Sequence, residues 1–192
     1  WPRSPFTAVG LVLGVVSFFN ILYGTLVGIS KFEVKDIEFH HPNLPKAFDG
    51  YRIVQLSDIH IGSWIDNEKT INELVELVNA QKPDLIVFTG DLVNQRSCEL
   101  EGFQDILVQL HAKDGVYSIL GNHDYGSYYH WKNLKEQVNN IDNLIRMQKT
   151  MGWKLLNNEY DILHHEGDSI ALIGVENDGE PPFSQFADLK KA

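Results

Sequence analysis

The 192-residue sequence contains a single cysteine, Cys98. One thiol excludes a disulfide framework and a cysteine-based zinc site, and it assigns no compartment. Basic residues are in deficit, with 16 Lys and Arg against 26 Asp and Glu for a formal net charge of −10. Without a cationic footprint, general nucleic-acid binding is excluded, whereas an acidic balance suits a site that concentrates cations. Internal repeats and low-complexity tracts are missing, which excludes a solenoid. A chain of this length can hold one α/β domain with a real core plus something extra. It starts at Trp1 without a methionine and stops at Ala192 without an obvious end, so it reads as a fragment of a longer protein.

Charge is absent between Arg3 and Lys31, where the run from Phe6 to Ile29 is apolar nearly all round. About 20 such residues cross a hydrocarbon core as a helix. Gly10, Gly14, Gly24 and Gly28 are at home in such a helix, and Asn20 is a modest penalty. A signal peptide fits less well, since the run is long and no A-x-A cleavage site follows it. A buried core helix fits less well too, since no amphipathic face is present. Residues 1–31 are therefore expected to form one transmembrane helix, its orientation open because Arg3 faces Lys31 and Lys35. Residues 32–49 read as a linker, with loose alternation from Val34 to Phe39 predicting an edge strand before a turn at Pro42–Pro45.

From Gly50 to Ala192 the pattern is α/β. Apolar runs at 51–57, 85–88 and 116–120 predict buried parallel strands. Between them, Ile71, Leu74, Val75 and Val78 recur at helical spacing and close at Lys82-Pro83, and Phe103, Ile106, Leu107 and Leu110 form a second stripe. Strand, helix, strand, helix, strand implies right-handed βαβ units. A polar helix with Leu134, Val138, Ile141, Leu144 and Ile145 follows, and then short runs at 153–156, 160–163 and 170–175 predict a second sheet packed on the first.

Each of the first three strands is followed by chemistry-bearing residues: Ser57-Asp58-Ile59-His60, Thr89-Gly90-Asp91 and Gly121-Asn122-His123-Asp124. Open α/β sheets place ligands outside the carboxyl ends of their strands. Asp58 and His60, one residue apart, can turn to one face and chelate one ion; Asp91 offers two oxygens and can bridge two; Asn122 supplies a neutral carbonyl oxygen. His123 beside it can point to substrate. Oxygen and imidazole donors suit manganese, iron(II) or zinc. Two such ions about 3.5–4 Å apart would clamp a phosphoryl group and activate a water. A protonated His123 could stabilise charge on the phosphate or protonate the leaving oxygen. Gly90 and Gly121 would permit tight or left-handed backbone at the turns. Any one Asp or His past a strand is more often a cap or turn former, but three blocks in order, each after its own apolar run, are specific in combination.

Those blocks resemble the first three of the calcineurin-like metallophosphoesterase family. Together with the apolar helix, Leu56–His60, Gly152-Trp153 and Gly174–Asn177, they are similar to its bacterial membrane-associated branch, which includes YkuE-type phosphodiesterases and hydrolases of UDP-2,3-diacylglucosamine in lipid A synthesis. The resemblance covers roughly Gly50 to Val175 and implies a four-layer αββα sandwich, of which this chain carries the N-terminal part. It implies that Asp58, His60 and Asp91 hold one ion, that Asp91 and Asn122 hold a second, and that His123 acts next to the phosphate. The family's later blocks, an isolated His after a strand and a G-H-x-H, do not occur here. His164 and His165 precede the run at Ile170 and read as edge or turn residues. The fragment is thus expected to bind metal weakly, and the parent protein to be the enzyme: a membrane-anchored phosphodiesterase or pyrophosphatase on a glycolipid precursor. A general metallophosphatase and a membrane-tethered binding module are the alternatives. Tyr125, Tyr128, Tyr129 and Trp131 could line a lipid or nucleotide entrance or form a plain packed loop.

Overall fold

The computed structural model describes residues 4–180 and 185–192. It divides into two units, Trp1–Phe39 and His40–Ala192. The first is built on helix α1 (Pro5–Leu26), which starts at Ser4, whose hydroxyl accepts from Phe6 N–H, with Pro5 at the first helical position. Its 22 residues rise about 33 Å, enough for a hydrocarbon core of about 30 Å. None of its residues is buried against protein. Two of its polar side chains are satisfied inside the helix: Asn20 Nδ2 donates to Val16 O at 3.0 Å and Thr25 Oγ1 to Ile21 O at 2.9 Å. Internal satisfaction is what lipid demands of a polar group. This is one helix long and apolar enough to cross a membrane. Arg3, the charge preceding it, lies outside the described residues.

The edge strand expected at Val34–Phe39 does not form; the segment has no regular structure, and Ile37 and Phe39 are exposed. Alternation is only a local pattern, and a strand needs a neighbouring ladder to complete it.

The second unit is a mixed α/β domain. Strands β1 (Ile53–Leu56), β2 (Leu85–Phe88), β3 (Val116–Ser118) and β4 (Lys154–Leu155) form one parallel sheet in the order β1-β2-β3-β4. The expected β4 joins this sheet rather than the second one, because Trp153 N–H donates to Gln148 O at the helix end and Leu156 N–H to Ser118 O, which lays the chain beside β3. Sequential order with right-handed crossovers puts every connecting helix on one face. That face carries α2 (Glu68–Ala80), which buries Ile71, Leu74, Val75 and Val78, and α4 (Leu134–Thr150), whose Gln148 meets Ser118 Oγ at 2.6 Å. The second stripe forms only a one-turn helix, α3 (Gln104–Leu107), though Phe103, Ile106, Leu107 and Leu110 are all buried. α4 buries Asn140, Leu144, Met147 and Gln148, and not the expected Leu134 and Val138, which are exposed on its first turns.

The helix-free face of the sheet receives a hairpin, β5 (Glu159–His165) and β6 (Asp168–Gly174). Its two-residue loop, Glu166-Gly167, has both φ values positive, at 47° and 95°, which matches the right-handed twist of the strands. Leu163, Ile170 and Leu172 pack on Leu85, Val87, Tyr117 and Ile119. Helices, parallel sheet and hairpin are three successive layers of the implied sandwich. Strand β1 differs from expectation in being an edge strand with Ile53 half exposed.

Candidate metal centre

The three chemistry-bearing segments leave β1, β2 and β3 side by side, and the backbone keeps them in register past the strand ends. Asp58 N–H donates to Gly90 O at 3.0 Å, His60 N–H to Asp91 O at 3.0 Å and Ile61 N–H to Leu92 O at 2.8 Å. Asp58, His60 and Asp91 sit in the left-handed region, at φ 54°, 47° and 59°. That conformation costs about 1–2 kcal/mol for each non-glycine residue, and the flanking hydrogen bonds impose it. Gly90 is also left-handed, at φ 99°, as expected. Gly121 is not, and its need is steric: a Cβ there would lie 2.2 Å from Asp91 Oδ1, and one on Gly90 would lie 2.4 Å from Gly121 N. Two loops approach backbone to backbone, which only glycine allows.

Side chains converge above this floor. One donor atom from each of His60, Asp91 and His123 falls within 4.8 Å of the others. His60 Nε2 is 3.7 Å from Asp58 Oδ1 and 3.8 Å from Asp91 Oδ2. These separations are too long for direct hydrogen bonds. Donors bound to one ion at about 2.0–2.2 Å lie about 3–3.6 Å apart, so the set fits a divalent cation with small adjustment. Asp91 is nearly buried and Asp58 is exposed, which leaves one side open to solvent. Asn122 Nδ2 donates to Tyr128 Oη at 2.8 Å, so the carbonyl oxygen is the atom it can offer.

His123 is held by four neighbours. Its backbone N–H donates to Asp91 Oδ1 at 2.9 Å, and its ring lies 4.6 Å edge-on from His60 and 4.5 Å from Tyr128. Its Nδ1 is 2.6 Å from Asn94 O. A carbonyl only accepts, so Nδ1 carries a proton and Nε2 is the nitrogen left for chemistry.

Asp124 belongs to the floor and not to the ligands. Its carboxylate is fully buried and accepts four backbone N–H groups: Asp91 at 2.9 Å and Gly121 at 3.0 Å on Oδ2, Leu92 at 2.9 Å and Val93 at 3.1 Å on Oδ1. Burial pushes its pKa up to about 7, against the pull of those N–H donors. The sequence assigns Asp124 no role, carries no signal for Asn94, and shows Tyr128 only as one of an aromatic cluster; a motif shows which residues are adjacent, not which backbone groups lie across the loop. Of the aromatic cluster, Tyr125 is buried with Oη on Glu176, and Trp131 donates its indole N–H to Gly126 O. Tyr128 touches the candidate site residues directly, through Asn122 Nδ2 and the His123 ring. Glu176 accepts from Tyr125 and Asn158 and ties the second sheet to this loop. His165 stacks on Phe48 and Tyr51, far along the sheet from the three blocks.

The sequence profile described as Calcineurin-like phosphoesterase matches residues 51–187, which contain the whole centre. The chain belongs to the calcineurin-like phosphoesterase family. The "Transmembrane protein with metallophosphoesterase domain" of Danio rerio is 35% identical over 104 residues, 54% of this chain and 24% of that protein. YkuE of Bacillus subtilis, an uncharacterized metallophosphoesterase, is 38% identical over 87 residues, 44% and 30% of the two chains. The UDP-2,3-diacylglucosamine pyrophosphatase LpxG of Chlamydia trachomatis is 36% identical over 103 residues, 52% and 31%. This phosphoesterase chain spans between 24% and 40% of the length of such curated relatives.

Proposed function

We propose that the full-length protein is a membrane-anchored, metal-dependent phosphoester hydrolase that cleaves a phosphodiester or pyrophosphate in a glycolipid precursor such as UDP-2,3-diacylglucosamine. The observation that carries the hydrolase reading is the convergence of Asp58, His60, Asp91 and His123 past three adjacent parallel strands, with Asn122 next to His123 in the chain. The similarity to LpxG and the apolar helix α1 support a lipid-linked substrate. In this reading Asp58, His60 and Asp91 hold one divalent ion, and Asp91 with Asn122 holds a second. Manganese, iron(II) or zinc would polarise a phosphoryl oxygen and acidify a water there.

The protein's own contribution is positioning. Asp124 fixes the backbone that presents Asp91, and Asp91 in turn receives the His123 N–H. With Nδ1–H committed to Asn94 O, Nε2 of a protonated His123 donates to a phosphoryl oxygen or passes its proton to the leaving oxygen. Tyr128 packs against the ring and restricts its rotation.

The test is hydrolysis of a chromogenic phosphodiester, a phosphomonoester and UDP-2,3-diacylglucosamine by the full-length protein in detergent with manganese, alongside Asp91→Asn. Glycolipid and diester cleavage that needs metal and disappears in Asp91→Asn is expected. Monoester cleavage alone would replace this reading with a general metallophosphatase, and no metal-dependent cleavage would replace it with a binding module.

A further inference from the structure

The loop that follows Asp91 has no ladder of its own, yet it supplies the carbonyl that holds the His123 ring. Three consecutive N–H groups in that loop point at one side chain. Glu99 Oε2 accepts from Asn94 N at 2.6 Å and Gln95 N at 3.4 Å, and Oε1 accepts from Arg96 N at 3.0 Å. Glu99 stands on the short 3-10 turn Ser97–Leu100, which returns its carboxylate beneath the segment it caps. Successive N–H groups converging on an anion are electrostatically favourable, and together they set the orientation of the intervening peptides.

A second observation comes from the other side of the carboxylate. Gly62, two residues after His60, has an ordinary φ, so conformation does not explain it. A Cβ there would lie 2.6 Å from Glu99 Oε2 and 3.0 Å from Asn94 Oδ1. Ser63 Oγ accepts from Asn94 Nδ2 at 3.0 Å, so the loop after His60 and the loop after Asp91 meet at Glu99 and Asn94. Asn94 O lies 2.6 Å from His123 Nδ1.

We propose that Glu99 is a positioning residue for His123: its carboxylate clamps residues 94–96 in the space left by Gly62 and so aims the Asn94 carbonyl at His123 Nδ1, setting the tautomer and direction of the imidazole. The kinetic arm of the test rests on the hydrolase reading; the spectroscopic arm does not.

The experiment compares wild type, Glu99→Ala, Glu99→Gln, His123→Ala and the double variant Glu99→Ala/His123→Ala, each as full-length protein in detergent. Bound manganese, the unfolding midpoint, kcat and KM for bis(p-nitrophenyl) phosphate are measured for each. Glu99→Ala lowers kcat by about 10–100-fold, the usual effect of losing an outer-shell partner, with KM and bound metal unchanged. Glu99→Gln, which keeps one acceptor oxygen, recovers most of the loss. In the His123→Ala background the same Glu99→Ala change costs less than about twofold, because the two residues act as one unit. An equal loss in both backgrounds, or one that follows the unfolding midpoint, would assign Glu99 a merely structural role and overturn the proposal.

If wild type cleaves nothing, the hydrolase reading fails and the nitrogen-15 shifts of the His123 imidazole in metal-free protein decide. The Nδ1–H tautomer in wild type and a mixture in Glu99→Ala support the clamp. An unchanged tautomer overturns it.

Discussion

Asp124→Asn tests the floor of the metal centre most directly. The two Asp124 oxygens accept two backbone N–H groups each. Asparagine keeps one oxygen and turns its NH2 toward two N–H donors, so in either orientation two buried donors lose their partner. An unsatisfied buried group costs about 1–3 kcal/mol, which makes about 2–6 kcal/mol for the pair. Burying a neutral amide in place of a charge returns part of this, so the net expected loss is about 2–4 kcal/mol. That is a large fraction of the about 5–15 kcal/mol that holds a typical domain. The assay is urea unfolding of the full-length protein in mild detergent, read by the fluorescence of the buried Trp64 and Trp153. Bound manganese should fall in parallel, since either released pair, Asp91 with Gly121 or Leu92 with Val93, includes donors of the loop that carries Asp91. A variant within about 0.5 kcal/mol of wild type, a typical surface effect, would refute the argument that these four hydrogen bonds hold the Asp91 loop.

Asp91→Ala removes the carboxylate that stands within reach of both His60 and His123, and metal-dependent cleavage should drop by more than about 100-fold, beyond an outer-shell effect, with bound metal lost in a direct count. Gly121→Ala puts a Cβ 2.2 Å from Asp91 Oδ1 and should cost about 1–3 kcal/mol of stability by unfolding together with weakened manganese binding by calorimetry. Acid sensitivity should come from Asp84, whose burial raises its pKa but is outweighed by the Lys113 ammonium and the Arg52 N–H, leaving the pKa below its usual 3.8. A depressed carboxyl contributes stability above its unfolded pKa and loses it as pH falls through the folded one. Urea midpoints of wild type should therefore fall more steeply than those of Asp84→Asn below about pH 4, and parallel curves would exclude the pair as the cause.

The blocks that carry the candidate site residues were legible because each is welded in sequence to an apolar run, and the end of a parallel strand is where the chain must turn. The 3.6-residue stripe of α2 was equally plain, since Ile71, Leu74, Val75 and Val78 are all buried. The α4 stripe misled because only its C-terminal half reaches the sheet, so Leu134 and Val138 stay in solvent while Asn140 and Gln148 are buried. The Val34–Phe39 alternation misled because those residues pair in no ladder among the described residues.

By itself the sequence determined the α/β class, the apolar helix, the order of the strands' chemistry and the five candidate site residues, because these follow from periodicity and adjacency along a few residues of chain. The tertiary structure alone decided that β4 closes the parallel sheet, that Gly121 and Gly62 leave room for the carboxylates of Asp91 and Glu99, that Asp124 holds a floor, and that Asn94 holds His123. Each of these contacts joins residues about thirty to forty positions apart, and the one at Gly62 also depends on where a short turn returns the Glu99 side chain. Whether two groups so placed share one hydrogen bond is set by how separate loops cross, which no local pattern encodes.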